Sequence, residues 1–268
     1  MTPSTKSAVN LIAEPGVPHP LGATVLEGGI NFSLFSVNAT SVELLLFQQH
    51  DDTEPMQVIR LDPFINKTFH FWHLFVRNLA PGFHYAYRVD GPHNPDAGQR
   101  FDPQKVLIDP YARGNNDTLL DRTSACIPGD NLKTSLRSVV IDPTDYDWEG
   151  DRPLGRPMNE TIIYEIHVRG LTQSATSDVG RRGTFAGVLE KIPYLKDLGV
   201  TAVELLPVFD FDEKGSLREV DGKRLTNYWG YKYFELLCPA VVLLCHARGG
   251  EPSQRIPRHG QSAASGRH

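Results

Sequence analysis

The feature that most constrains the fold is a series of short apolar runs between residues 21 and 89, separated from one another by turn-forming residues. In one of these runs Ile30, Phe32 and Leu34 alternate with polar neighbours. An alternation with a period of two residues is typical of a strand with one buried face. Gly, Pro, Asn and Asp between the runs favour tight turns. The region therefore predicts a β-sandwich.

A different pattern begins after Pro157. Apolar, β-branched residues fill 161–168, a helical pattern follows, and a second apolar run covers 200–208. Thr184 and Gly199 are candidate caps of the helix. The apolar positions at helical spacing are Phe185, Val188, Leu189, Ile192, Leu195 and Leu198. A strand, a helix and a strand predict the βα unit that opens an α/β domain, and one such unit does not decide whether the sheet closes into a barrel.

Composition argues against several classes of partner. The 268 residues have a formal net charge of −5, so the sequence predicts neither a nucleic-acid surface nor a polybasic membrane contact. We expect a cytoplasmic protein, because the N-terminal residues show no secretory pattern and no stretch has the length of a membrane span. Cys126, Cys238 and Cys245 are widely spaced, which predicts free thiols and no zinc site. No cofactor is predicted.

Four segments together resemble a known family. They read LAPGFHYAYRVDGPHNPDAGQRFDPQKVLIDPYAR (79–113), IIYEIHVRGLT (162–172), GVTAVELLPVFDFDE (199–213) and NYWGY (227–231). In this order and spacing they resemble the isoamylase-type glycogen and starch debranching enzymes of the α-amylase superfamily. The resemblance runs from about Pro18 to Tyr231.

The resemblance implies both a fold and a chemistry. The fold is multidomain, β followed by α/β: an N-terminal β-sandwich of the starch-binding, immunoglobulin-like type, and then the first strands of a truncated (β/α)8 barrel. The chemistry is the retaining hydrolysis of α-1,6 branch linkages by a carboxylate nucleophile and a carboxylic acid/base, with a third carboxylate holding the distorted sugar. The family has these groups on the fourth, fifth and seventh barrel strands, so we assign no catalytic residue in this chain.

The NYWGY segment supplies the candidate substrate-binding residues. The resemblance places Asn227, Trp229 and Tyr231 beside the active site, and Tyr231 is the closest match to a tyrosine that lies against the sugar next to the scissile bond. The alternative is that the aromatic side chains, including Tyr228, are core residues. We favour sugar contact for at least one of them. The implied partner is an α-glucan: glycogen, starch or maltodextrin.

Two groups of polar residues near the predicted strands allow alternative interpretations. Asp210, Asp212 and Glu213 could act as acid and base, but we favour a solvated acidic loop. Glu165 and His167 lie two apart on a predicted strand and so point to the same side. We favour a hydrogen-bonded pair inside a barrel over a catalytic pair, and Arg169 has the same ambiguity.

Aromatic residues of the predicted sandwich also allow two interpretations. Phe69, Phe71, Trp72 and His73 form either a glucan-stacking surface or part of the sandwich core. We favour the core, because a sandwich needs such side chains on its inner faces.

The residues after Tyr231 depart from the family, which continues with a sequence like NTxSFFAP. This chain reads KYFELLCPAVVLLCHARGG and ends in a polar, aperiodic segment, which predicts disorder. The codons possible from Lys232 onward, read from their second base, permit NTLS, FFAP, SHLNEF and LHRAGI, strings that resemble the family's continuation. We interpret 232–268 as an out-of-frame tail after a one-base insertion, in which Cys238 and Cys245 have no role.

The predicted organisation has four parts: an N-terminal tail (1–17), a glucan-binding-type sandwich (18–155), an incomplete start of the catalytic barrel (156–231) and the out-of-frame tail (232–268). Three functions stay open. The preferred one is an N-terminal fragment of a debranching enzyme that lacks the catalytic carboxylates and is inactive. The alternatives are a non-catalytic α-glucan-binding module and a remnant whose uncovered strand edges lead to aggregation.

Overall fold

The computed structural model describes residues 10–116, 120–213 and 218–231, and the predicted out-of-frame tail lies outside these residues. The chain divides into two compact units, residues 1–142 and 143–268. The first unit thus ends at residue 142, whereas the predicted sandwich extends to residue 155.

The described part of the first unit contains two antiparallel sheets and a separate strand pair. The strands are β1 (Ile12–Pro15), β2 (Gly22–Leu26), β3 (Gly29–Phe35), β4 (Ser41–Phe47), β5 (Gln57–Arg60), β6 (Lys67–Thr68), β7 (Phe71–Arg77), β8 (His84–Asp90), β9 (His93–Asn94), β10 (Gln99–Arg100) and β11 (Ser138–Val139). One sheet has the strand order β1-β7-β3-β2, with β6 paired to β7, and the other has the order β11-β8-β4-β5; β9 and β10 form the separate pair. A short helix, α1 (Arg122–Cys126), lies in the loop region before β11.

One hydrophobic core fills the space between the two sheets. Phe32 of β3 and Tyr85 of β8 meet across it, with ring centroids 5.0 Å apart. Two sheets that bury their inner faces against each other in this way form a β-sandwich, which confirms the prediction for this region. The fully buried side chains of the core include Ile30, Val42, Leu44, Leu46 and Val76.

The N-terminal residues are part of the sandwich. Ile12–Pro15, predicted to lie in a tail, form β1 and pair with β7. The next residues cover the outer face of β3: the Asn31 amide donates to the Val17 carbonyl at 3.0 Å, and the Ser33 hydroxyl donates to the Pro18 carbonyl at 2.7 Å. Asn31 and Ser33 are therefore buried although the alternation predicted a solvated face, because the covering backbone satisfies their hydrogen bonds.

The outer face of the second sheet is covered as well. Leu45, Phe47 and Ala86 project from β4 and β8 into a second cluster that is completed by Val106 and Leu132. These last two residues belong to the loop-rich region that sequence patterns left without assigned structure. The second sheet is consequently buried on both faces, which explains the nearly continuous apolar run of β4.

A buried arginine fixes that covering region. The Arg137 guanidinium donates to the backbone carbonyls of His50 at 2.8 Å, Gln49 at 3.3 Å and Leu132 at 3.4 Å, and also to that of Asp52. Its Cζ lies 3.9 Å from the centroid of the Phe47 ring. Arg137 is 1% exposed. The charge is thus compensated by carbonyl dipoles and an aromatic face rather than by a carboxylate within hydrogen-bonding distance.

A buried carboxyl group lies in the same region. Asp109 accepts hydrogen bonds from the Tyr85 hydroxyl and from the Tyr111 amide, each at 2.8 Å. Burial raises the pKa of Asp109 to about 6, against the lowering effect of these two hydrogen bonds. The folded state therefore binds a proton here at a pH at which the unfolded chain has lost it.

This pKa shift predicts that the sandwich loses stability as the pH rises. The contribution of Asp109 is fully present below its ordinary pKa of 3.8 and is lost as the pH rises through about 6. In the parent chain the free energy of unfolding is expected to fall by up to about 3 kcal/mol over this pH range because of Asp109. This fall is expected to be absent from Asp109→Asn, which cannot ionise. Urea unfolding between pH 4 and pH 8 measures the effect, with the exposed Asp130→Asn as control. An unchanged pH slope in Asp109→Asn contradicts the assignment.

The second unit begins with the predicted βα pattern. Strands β12 (Ile163–Ile166) and β13 (Ala202–Leu205) pair in parallel, which confirms the strand–helix–strand prediction. A short antiparallel pair follows, β14 (Glu219–Val220) with β15 (Lys223–Arg224). The helices are α2 (Val168–Thr172), α3 (Phe185–Glu190) and α4 (Ile192–Asp197).

The single helix expected between the strands is two short helices. Thr184 caps α3 by accepting a hydrogen bond from the Gly187 amide at 3.2 Å, as predicted. Gly199 follows α4 with φ +84°, the left-handed conformation of a C-terminal cap. The break falls at Lys191, just before Pro193, and proline is tolerated only in the first turn of a helix. In the described part of the chain, no helix has the length and apolar character needed to span a membrane.

Candidate functional site

The candidate site, here called the strand-end cluster, consists of His167, Arg169, Glu213 and the segment 227–231. His167 and Arg169 follow β12 directly, and Glu213 belongs to the loop after β13. All three residues therefore lie beyond the carboxyl ends of two parallel strands, where α/β barrels place their functional groups.

His167 links the end of β12 to the NYWGY motif. Its Nδ1 accepts a hydrogen bond from the Gly170 amide at 3.0 Å and so caps α2, which leaves the proton on Nε2. Nε2 donates to the Tyr228 carbonyl at 3.0 Å. The imidazole also stacks on the Tyr228 ring, with centroids 4.7 Å apart and planes inclined by 15°. It forms a T-shaped pair with the Trp229 ring, whose centroid lies 5.9 Å away.

These contacts correct the predicted pairing of Glu165 with His167. Strand β12 ends at Ile166, and His167 is the N-cap of the following helix. Its hydrogen-bond partners are Gly170 and Tyr228 and not Glu165. Glu165 lies on the strand and is exposed. The predicted pair does not form because both ring nitrogens of His167 are occupied by backbone groups of α2 and of the NYWGY segment.

A charged pair joins the same two loops. Arg169 Nη2 lies 3.0 Å from Glu213 Oε1, and the Arg169 Cζ lies 5.9 Å from the centroid of the Tyr228 ring. The backbone carbonyl of Glu213 accepts a hydrogen bond from the backbone N–H of Asn227 at 2.8 Å. Arg169 and Glu213 thus serve to hold the NYWGY segment against the ends of β12 and β13.

The acidic residues after β13 do not form the solvated loop that the sequence favoured. Asp210 and Asp212 are each 5% exposed, and only Glu213 keeps a substantially exposed side chain. Phe211, which lies between them, is buried as well and packs into a small core with Val168. All three consecutive residues are therefore buried.

The three predicted substrate-binding residues lie together but differ in exposure. Trp229 is 57% exposed and Tyr231 is 63% exposed, so neither is a core residue. Asn227 is partly buried, and its side-chain oxygen accepts from the Gly230 amide at 3.2 Å. Gly230 has φ +78° and packs on Phe211, so this turn determines the direction of the two rings. Sugar contact by Asn227, Trp229 and Tyr231 stays a prediction.

The aromatic residues of the sandwich divide between the two interpretations. Trp72, at 1% exposure, lies in the core between the sheets, which confirms the core assignment for it. His73 is 5% exposed but lies opposite Ser33 on the outer face of the first sheet, so it is buried outside that core and the core assignment is wrong for it. Phe69 is 87% exposed, so the core assignment is wrong for this residue, and Phe71 is partly buried at the surface. The difference arises because Phe69 lies in the turn before β7 and not within the strand.

No candidate metal centre is evident in the described ranges, where no group of three or more His, Cys, Asp or Glu side chains is placed to hold an ion. Cys126 is exposed and its thiol is free. Cys238 and Cys245 lie outside the described residues.

The strand-end cluster is expected to respond to acid. Burial lowers the pKa of His167 and the nearby Arg169 charge lowers it further, against the raising effect of the bond to the Tyr228 carbonyl. The capping bond is therefore present above the ordinary pKa of 6.5 and is lost as the pH falls through the lowered value, because a protonated Nδ1 cannot accept.

Fluorescence can test this expectation, because a protonated imidazole beside Trp229 quenches indole emission. A Trp148→Phe background removes one competing indole, and Trp72 in the sandwich core provides a constant signal. We expect an acid-induced step in emission below about pH 6.5. His167→Asn keeps a capping oxygen but cannot titrate in this range, so the step is expected to vanish. Persistence of the step in this variant contradicts the assignment.

Comparisons with known proteins agree with this two-part organisation. The family model described as carbohydrate-binding module 48 (isoamylase N-terminal domain) matches residues 20–112, and that of the alpha-amylase catalytic domain matches residues 111–236. These matches, with the sandwich and the parallel pair, confirm the predicted fold class.

Two curated proteins illustrate the similarity. "Isoamylase 1, chloroplastic" of Oryza sativa subsp. japonica is 37% identical over 232 residues, which cover 84% of this chain and 28% of that protein. The "Glycogen debranching enzyme" of Yersinia enterocolitica is 40% identical over 248 residues, covering 88% of this chain and 35% of that protein. The chain thus spans about a third of the length of these relatives.

Among solved structures, a pullulanase of Paenibacillus barengoltzii in complex with maltohexaose and alpha-cyclodextrin aligns with a TM-score of 0.66 at 23% identity. The alignment covers 92% of this chain and 36% of the pullulanase. At this identity the similarity shows the fold alone.

Proposed function

Because the chain belongs to the isoamylase-type debranching enzymes of the α-amylase superfamily and comprises their N-terminal portion, we propose that it contributes glucan binding to the hydrolysis of α-1,6 branch linkages and does not perform the hydrolysis itself. The observation that supports this most strongly is a sandwich with a filled core at residues matched by carbohydrate-binding module 48. The partner is an α-glucan such as glycogen, starch or maltodextrin.

The division between binding and chemistry rests on the family's strand positions. The resemblance assigns the nucleophile, the acid/base and the third carboxylate to the fourth, fifth and seventh barrel strands. The parallel strands of the described second unit, β12 and β13, correspond to the start of the barrel. The acidic residues nearby have other roles: Asp210 and Asp212 are buried beside Phe211, and Glu213 pairs with Arg169.

The strand-end cluster fits a role in contacting sugar. Trp229 and Tyr231 are exposed, and the apolar CH faces of a glucose unit stack on aromatic rings of this kind. His167 and Gly230 position the two rings through the contacts described above. In this proposal the cluster is one wall of the substrate site, and action in the cytoplasm without nucleic-acid or membrane partners stays a prediction.

Affinity electrophoresis tests the binding proposal. The purified chain is expected to migrate more slowly in a native gel that contains glycogen than in a gel without polymer. A gel with hydroxyethyl cellulose, an uncharged β-linked glucan derivative of comparable viscosity, separates α-glucan recognition from sieving. Equal mobility in all three gels means that this chain does not bind α-glucan and contradicts the proposal.

A further inference from the structure

An exposed aromatic surface lies at one end of the first sheet, at the turn between β6 and β7. It consists of His19, Phe35, Phe69, His70 and Phe71, and is here called the aromatic hairpin surface. Phe35 and Phe71 are directly opposite each other on β3 and β7. They project from the outer face of the sheet, because their neighbours Leu34 and Trp72 point into the core.

Successive ring contacts connect four of these side chains. The His19 and Phe71 centroids lie 4.6 Å apart, those of Phe71 and Phe35 5.2 Å apart, and those of Phe35 and His70 6.2 Å apart. Phe35 is 48% exposed, and both imidazoles are exposed. The result is a continuous stretch of ring surface with a hydrogen-bonding imidazole at each end.

The fifth residue, Phe69, has an unfavourable backbone conformation that no burial offsets. Its φ is +53°, in the left-handed region that tight hairpin turns reserve for Asn, Asp or Gly, and its side chain is 87% exposed. Such a residue lowers the stability of the fold and gains no core contact in return. Local strain of this kind, combined with an exposed ring, points to a function outside the fold.

The chemistry of the surface restricts its ligand. None of the five side chains is a carboxylate, a lysine or an arginine, so the surface is matched in charge to an uncharged molecule. Aromatic faces accept the CH faces of sugars, and imidazoles exchange hydrogen bonds with their hydroxyl groups. We propose that the aromatic hairpin surface is where the sandwich binds an α-glucan chain, an inference that rests on the proposed function.

Phe69→Asn separates binding from folding. Asparagine adopts the left-handed conformation more readily than phenylalanine, so the variant is expected to unfold at the same temperature as the parent chain or at a higher one. Its affinity for glycogen, from retardation across a series of glycogen concentrations, is expected to fall about tenfold. Phe35→Thr, which removes the central ring but suits a strand, is expected to weaken binding similarly.

Phe64→Asn is the matched control, because Phe64 is 96% exposed and lies outside the aromatic hairpin surface. It is expected to leave the retardation unchanged. If the parent chain is retarded and Phe69→Asn and Phe35→Thr are retarded equally, glucan binds elsewhere and the inference is overturned while the proposed function stands. If the parent chain itself is not retarded, both fail. Equal weakening by Phe64→Asn also overturns the inference, since it shows a general effect of exposed rings.

Discussion

Arg137→Met is expected to destabilise the sandwich by about 3–5 kcal/mol, a large fraction of the stability of a domain of this size. Methionine approaches the length of arginine but donates no hydrogen bond. The substitution removes the shared donor of the carbonyls of Gln49, His50 and Asp52, although that of His50 keeps a hydrogen bond from the Asn116 side chain, and it removes the guanidinium from the Phe47 ring. The loss is costly because one fully buried group forms all of these contacts and methionine replaces none of the hydrogen bonds.

Urea unfolding of the full chain, followed by the fluorescence of the buried Trp72, measures this loss. Arg77→Met is the matched control, because Arg77 pairs with Glu14 at the surface and both side chains are well exposed. That variant is expected to unfold almost as the parent does. If the two variants have the same unfolding midpoint, Arg137 does not hold the loops against the second sheet.

We propose that deletion of one base at the codon of Lys232 restores the family's reading frame, and we expect it to produce an active enzyme, whereas the present chain is expected to release no reducing ends from glycogen. On the family's pattern the restored protein regains the barrel strands that bear the three carboxylates, so turnover should rise from none to about 1–10³ s⁻¹. Reducing-end release from glycogen measures both proteins at equal concentration.

The control for this comparison is a mock preparation from the same expression host, since host debranching enzymes can contaminate the sample. Isoamylase-type activity also predicts that the restored enzyme changes the iodine spectrum of amylopectin by removing branches. Turnover by the present chain above the mock level would show that the described residues do perform the chemistry and would overturn the division between binding and catalysis.

Several strands of both units could be predicted from the sequence because their signals are local. The alternation around Phe32 placed β3, and the apolar runs after Pro157 placed β12 and β13. Thr184 and Gly199 marked the ends of the helical region, since capping depends on residues only a few positions apart. These features need no information about the rest of the fold.

The coverings of the two sheets could not be predicted in this way. Arg137 and Asp109 lie in a loop-rich region without periodicity, and their partners are separated from them by up to 88 and 24 residues. Likewise, Asn31 and Ser33 look like surface residues until a distant segment covers them. Hydrogen bonds between polar groups so far apart in sequence depend on how the loops fold in three dimensions. The spacing of residues along the sequence does not predict this.

The candidate site shows the same limit. The NYWGY segment was predicted to be a site from resemblance, and the structure adds that His167 and Gly230 position its rings. The burial of Asp210 and Asp212 was missed because their acidic character outweighed the single aromatic residue between them. Asp210, Phe211 and Asp212 are all buried, so an alternation with a period of two residues, which predicts one buried and one exposed side, does not indicate this arrangement.

The DNA sequence of the gene across the codons of Tyr231 and Lys232 and downstream decides whether the tail is out of frame. We predict one base fewer than this reading requires, or a second frame that continues into the remaining barrel strands with three carboxylates. A confirmed frame with no amylase-like sequence downstream would contradict this prediction. The tail would then be a genuine part of the protein, and only the glucan-binding sandwich would be left to explain its function.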